Sequence, residues 1–126
     1  MGCEFRQISY DEIKGLNISD KRLIFSPHAQ YYALVDGDIV KSVISVKVAK
    51  NGVKLQGNYT FPEYRGQGLF TKLLRCIMNI YSENINIYAD CLNTSVGIYL
   101  RNGFELYEIK EYKSFTIYKV RLLSNG

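Results

Sequence analysis

The sequence predicts an α/β fold of the α+β kind: a mixed, mostly antiparallel sheet around a central strand–helix–strand unit. Three features point there. Between residues 31 and 61 the chain is rich in Val, Ile and Tyr and is cut by two turn signals, Asp36-Gly37-Asp38 and Asn51-Gly52, the pattern of an antiparallel meander. After Pro62 the period changes. Apolar residues fall at Leu69, Phe70, Leu73, Leu74, Ile77, Met78 and Tyr81, the stripe of an amphipathic helix. The apolar segment 85–89 follows, so a helix joins two strands, and such a crossover makes them parallel and its hand right-handed.

The remaining elements follow in order. Residues 4–8 alternate as a short strand. A helix over 10–16 is capped by Ser9, with Glu12 three residues on as the reciprocal partner of a capping box. Residues 18–30 read as irregular, broken at Ser26-Pro27, with room for a second short helix at 20–25. Strands are expected at 31–35, 39–49 and 53–61. In the long helix that opens at Gly68, Thr71, Lys72, Arg75 and Asn79 take the polar face, and Asn84 closes the region. A helix over 94–102 ends before Gly103, which suits a left-handed C-cap. Segments 105–111 and 114–122 alternate as two strands joined near Tyr112-Lys113.

Composition narrows the class. The chain has 126 residues, 47% hydrophobic and 22% charged, values of a single globular domain over 1–126 rather than of a disordered segment. Its 11 tyrosines suit half-buried strands. No run of about 18 apolar residues is present, so no membrane-spanning helix is expected. The first residues lack the apolar core of a secretory signal, and Arg6 stands where a myristoylation pattern needs Ser or Thr. Cys3, Cys76 and Cys91 are odd in number and lack metal-ligand spacing, so no metal site is expected, and the thiols read as reduced in a cytoplasmic setting. A net charge of +4 fits an anionic small ligand and falls short of the dense basic patch that nucleic-acid binding asks for.

One stretch carries chemistry: Phe61-Pro62-Glu63-Tyr64-Arg65-Gly66-Gln67-Gly68-Leu69-Phe70. A strand ends, a loop with two glycines follows, and a long helix begins. The helix start leaves backbone N–H groups unpaired and carries partial positive charge. Glycine permits turns and close approaches that other residues resist, and Arg65 adds a forked cation. Such parts make a phosphate cradle, although a glycine turn ahead of a helix also serves structure alone. The loop is neither a Walker loop nor a dinucleotide fingerprint, since Lys-Ser/Thr and G-x-G-x-x-G are absent.

This segment resembles the acetyl-CoA pyrophosphate loop of the GNAT superfamily of N-acetyltransferases, whose motif is R/Q-x-x-G-x-G/A. Arg65 and Gly68 match its first two fixed positions, and Phe70 stands where Gly or Ala is usual. Tyr99-Leu100-Arg101-Asn102-Gly103-Phe104 is similar to the family's Y-x-x-x-G-F segment, and the element order fits across nearly the whole chain. The resemblance implies a GNAT-like sheet whose two parallel strands splay at their C-terminal ends and take the coenzyme's pantetheine arm between them, beside Tyr59, Thr60 and Phe61. Backbone N–H groups of Arg65, Gly66, Gln67, Gly68, Leu69 and Phe70 would hold the pyrophosphate. Tyr99 would be the general acid that protonates the departing thiolate; read from spacing alone it is a core aromatic. Asn93 lies one residue off the family's coenzyme-contacting Asn, with Leu92 in that place, and is read either as that contact or as a helix N-cap.

The general base is missing. The strand before the loop offers Lys54, Gln56, Asn58 and Thr60, none of them a base near neutral pH. Asp90 is a candidate, and a water relay or an amine that arrives deprotonated would also serve. His28 reads as a loop residue. Cys91 has nothing nearby to activate it as an acyl carrier. The resemblance implies direct acetyl transfer from acetyl-CoA to an amine of a small molecule or protein. Transfer to a nucleic-acid base and a non-catalytic coenzyme-A-binding module are the alternatives. Acceptor and oligomeric state are not encoded legibly.

Overall fold

The structure is a computed structural model that describes residues 3–18, 26–81 and 85–124. Among the described residues, seven strands and three α-helices follow one another as β1 (Glu4–Ile8), α1 (Tyr10–Lys14), β2 (Gln30–Asp36), β3 (Ile39–Ala49), β4 (Gly52–Thr60), α2 (Leu69–Tyr81), β5 (Asn86–Cys91), α3 (Asn93–Arg101), β6 (Glu105–Glu111) and β7 (Thr116–Leu122). The strands keep one hydrogen-bonded order, β1-β2-β3-β4-β5-β7-β6, and the fold is the mixed, mostly antiparallel α/β class expected. Two compact units share β3, β4 and α2: Met1–Lys47 with Gln56–Cys76, and Val48–Leu55 with Ile77–Gly126.

In the first unit, β1 pairs antiparallel with β2 from Glu4↔Val35 to Ile8↔Tyr31. The β2–β3 ladder is also antiparallel and shifts register between Leu34 and Val35. Ser9 and Glu12 form the full capping box: the Ser9 hydroxyl accepts from the Glu12 N–H at 3.0 Å, and the Ser9 N–H donates back to Oε1 at 3.3 Å. That box fixes the start of α1, which ends at Gly15, earlier than the sequence pattern suggests. Ile8, Ile13, Tyr31, Ala33, Val35, Val43 and Tyr59 form the core, close-packed apolar surface of the kind that drives folding.

In the second unit, β4 and β5 run parallel, from Gly52↔Asn86 to Leu55↔Ala89. The register ends there, while β4 runs on to Thr60 and β5 to Cys91. β5 and β6 both pair antiparallel with β7. Ile87 and Val120 are fully buried, and α3 packs on β7. Gly103 has φ +95°, so the left-handed end of α3 is as the sequence predicts.

Besides shifts of a residue or two at the ends of β2, β4 and α3, some boundaries differ from expectation for a physical reason. Gly52 belongs to β4, and the turn is Lys50-Asn51: a Cβ at 52 would fall on the Asn86 carbonyl, so glycine is needed there for close approach to β5. β5 starts at Asn86, after an exposed Ile85. β7 starts at Thr116, because Tyr112 and Phe115 close a tight turn over Lys113-Ser114. A single 3-10 turn, Pro62–Tyr64, precedes the glycines. The helix read at 20–25 and the end of the long helix at Asn84 lie outside the described residues.

Candidate functional site

The loop after β4 is built from its glycines. Gly66 and Gly68 have φ of +80° and +74°, the left-handed region, and nothing lies within 4 Å of where a Cβ would sit on either. Backbone conformation, with open space beside it, therefore selects glycine at both positions. The turn delivers the chain into α2, where the Lys72 N–H is bonded to the Gly68 carbonyl at 3.1 Å. A helix start of this kind leaves its first N–H groups without an intrahelical acceptor. The first turn of α2 holds no acidic residue to compete for them. Leu69, Leu73, Leu74 and Ile77 form the buried stripe, so the apolar face holds the helix while its start meets solvent.

Arg65 is exposed but held. Its Nε donates to the Thr60 carbonyl at 2.7 Å, and its guanidinium lies 5.3 Å from the centre of the Tyr59 ring. Thr60 is pinned from the other side, its hydroxyl 2.8 Å from that of fully buried Ser42. Tyr59 is 6% exposed and meets Phe61 edge-on at 5.1 Å. The Phe61 N–H donates to the Lys41 carbonyl, and the Lys41 ammonium sits over the Tyr64 ring. Tyr59, Thr60, Phe61 and Arg65 thus form one connected group with the glycine turn. Lys41 and Ser42 join it unannounced by any motif; their signal is the β3–β4 pairing, which sequence does not register.

Tyr99, on α3, is 3% exposed and packs edge-on against Phe104 at 5.2 Å. Burial, then the neighbouring Cys91, pushes its hydroxyl well above the usual phenol range. Cys91 is buried too: desolvation lifts its thiol to about 11, and its Sγ donates to the Tyr118 carbonyl at 3.4 Å. A thiol so raised is a poor acyl acceptor, as its surroundings in the sequence implied. Asn93 does not cap α3. Leu92 occupies the N-cap, with no side chain able to bond the helix start, and exposed Asn93 opens the first turn.

Asp90, the candidate base, is engaged by two lysines. Burial alone would raise its pKa, but hydrogen bonds from Lys54 at 2.8 Å and Lys119 at 3.1 Å, with their charges, hold the carboxyl below its ordinary value. A carboxylate so held takes up a proton only in acid. His28 is exposed in the Ser26–Ala29 segment. Where α3 begins, a concavity of about 300 Å³ is lined by Leu92, Asn93, Ser114, Phe115, Thr116 and Tyr118, joining the β5–α3 junction to the late hairpin. No group of His, Cys, Asp and Glu side chains among the described residues could hold a metal ion.

No family model matches the chain, and no curated protein sequence does. Solved structures do. An acetyltransferase of the GNAT family from Streptococcus pneumoniae superposes with a TM-score of 0.76 at 10% identity, over 98% of this chain and 99% of its own. The chain carries the GNAT acetyltransferase fold. Two other GNAT-fold neighbours agree. The IAA acetyltransferase from Bacillus cereus has a TM-score of 0.74 at 14% identity, covering 95% of this chain and 98% of its own. A chain of the NatC complex bound to Gag peptide and CoA has a TM-score of 0.73 at 17% identity, covering 98% and 99%. Among the described residues, no helix of this GNAT-fold chain is long and apolar enough to cross a membrane.

Proposed function

We propose that the protein is an N-acetyltransferase that moves an acetyl group from acetyl-CoA directly to an amine of a small molecule or protein. The observation that carries this reading is the entry to α2: two left-handed glycines, an arginine tied over Tyr59, and a first helical turn without carboxylates. Anions bind such helix starts through backbone N–H groups and the aligned peptide dipoles. The coenzyme's pyrophosphate is assigned to the N–H groups from Gly66 to Phe70 and its arm to Tyr59, Thr60 and Phe61; the Arg65 N–H, expected to join them, is instead donated to the Pro62 carbonyl at 3.3 Å, so Arg65 would contribute through its guanidinium. Asn93 is assigned a further contact. Two solved neighbours hold CoA, which supports coenzyme A as the class of ligand. The three unpaired thiols support a reducing, cytoplasmic setting.

Tyr99 is assigned as the acid. The amine nitrogen bonds to the acetyl carbon, the carbon–sulfur bond breaks, Tyr99 gives its proton to sulfur, and the amine's proton passes to solvent. With Asp90 held by two lysines, the amine reacts in its neutral form or loses its proton through water. The concavity beside Asn93 is the proposed acceptor seat. Its lining of Leu92, two aromatic rings, an amide and two hydroxyls beside the Tyr118 phenol has no carboxylate, which favours a peptide-like or singly charged amine over a polycation. A non-catalytic coenzyme-binding module is the second reading, favoured by the occupied Asp90.

Calorimetry with coenzyme A tests the binding half. Arg65→Ala removes a charge-assisted contact worth about 1.5–3 kcal/mol, so affinity should fall about 10- to 150-fold, less at high salt. A loss below about threefold at low salt would place Arg65 outside the binding site. Turnover of acetyl-CoA across polyamines, aminoglycosides, peptides and DNA tests the other half. Turnover with a peptide or small amine supports the enzyme; turnover with DNA alone makes a base the acceptor; tight coenzyme binding without turnover leaves the non-catalytic module.

A further inference from the structure

We propose that the free edge of β6 pairs with the same edge of a second copy of this chain, forming a two-fold dimer centred on Ile109. β6 closes the strand order, and all seven of its residues are exposed. Such an edge presents unpaired backbone donors and acceptors to any other strand. It also presents apolar side chains: Leu106 is 40% exposed, Ile109 51% and Tyr112 51%. β6 has one lysine, no proline, and a single skip in register between Leu106 and Glu108 as its edge defence.

The partner is set by geometry and charge. The Tyr112 N–H donates to the Phe115 carbonyl at 2.8 Å, which closes the hairpin. Interstrand bonds recur at every second residue of an antiparallel ladder. Lys110 and Glu108 therefore turn their backbone groups toward β7, while Ile109 and Glu111 turn theirs outward. A second strand laid antiparallel on this edge must match outward residues with outward residues. Centring the two-fold on Glu108, Lys110 or Glu111 sets like charges against each other. Centring it on Ile109 sets Ile109 against Ile109 and Glu108 against Lys110 twice, all on the regular side of the register skip. The register that satisfies the backbone is thus the one in which charges and apolar groups match, and one strand supplies both sides, as an isologous contact requires.

Sedimentation of the full chain from dilute to concentrated protein tests this. A weak, concentration-dependent dimer is expected. Lys110→Glu faces Glu108 with a like charge at two symmetric places and should weaken association about tenfold or more, while Lys110→Glu with Glu108→Lys restores the attraction to within about threefold. Ile109→Pro removes an outward N–H without touching the β7 ladder and should abolish the dimer. Thermal melts check that each variant is folded, and if Ile109→Pro is not, the charge exchange decides. A chain that stays monomeric throughout overturns the proposal. So does a dimer indifferent to Lys110→Glu, or one that the double exchange does not restore.

Discussion

Tyr99 has a side chain that packs whatever else it does: the ring is 3% exposed and meets Phe104 edge-on. Packing and catalysis are separable because they use different atoms. The ring fills the core, and the hydroxyl alone carries a proton, which burial retains. Tyr99→Phe keeps the ring and removes the hydroxyl. Losing one buried hydrogen-bonding group should change stability by about 1 kcal/mol or less. Losing a positioned acid should lower kcat by about 10²- to 10⁴-fold, toward the low end because a thiolate is a tolerable leaving group. Steady-state kcat at saturating acetyl-CoA, beside a urea melt, reads both. A variant that keeps more than about a third of kcat while chemistry limits the rate makes Tyr99 a packing residue only. Arg65 mixes roles in another way. Its Nε is spent on the Thr60 carbonyl, which leaves the outer nitrogens of the guanidinium as the part offered to a phosphate.

The turn between β3 and β4 shows how an element can be legible and still misplaced. Asn51-Gly52 is a strong hairpin signal, and a hairpin is there, but Gly52 works as a strand residue pressed against Asn86. A Cβ at 52 would fall on the Asn86 carbonyl oxygen and lie 2.9 Å from its carbon, both backbone atoms that cannot rotate away. Gly52→Ala should therefore cost about 3 kcal/mol or more in a urea melt, by forcing β4 off β5. Gly37, at φ +60° with open space around it, is the comparison: Gly37→Ala should cost only the left-handed penalty of about 1–2 kcal/mol. Equal costs at the two sites would show that the β4–β5 contact yields. The same distinction governs legibility elsewhere. Ser9 with Glu12, and Arg65 through Gly68, were readable because each acts on its immediate neighbours in the chain. The Lys54–Asp90–Lys119 cluster was not, because it exists only once β4, β5 and β7 are in register.

At the scale of the whole molecule, identities of 10–17% to structures that match over nearly the full chain say that most side-chain identities can change while the fold is kept. Freedom of that kind lets unusual pairs settle in the interior, and Cys91 with Tyr99 is one. Both groups have folded-state pKa values raised by burial. A group with a raised folded pKa keeps its stabilising effect below the unfolded pKa and loses it as pH climbs toward the folded value. For Cys91 that window runs from 9.0 to about 11. Across it the unfolded thiol ionises while the folded one does not, which, with solvent screening of a partly wetted group, should remove on the order of 1–2 kcal/mol of stability. Tyr99 adds its loss from about pH 10 upward. Asp90 acts at the other end: its carboxyl is held low, so its contribution is present at neutral pH and lost as acid protonates it. Urea melts of the wild type and of Cys91→Ala between pH 8 and 11 separate these terms. The wild type should weaken from about pH 9, whereas Cys91→Ala, itself less stable for the lost packing, should hold a flat profile to about pH 10 before Tyr99 takes over. Parallel profiles would mean that the Cys91 thiol meets solvent, and that the packing between β5 and β7 is looser than the Sγ contact to Tyr118 describes.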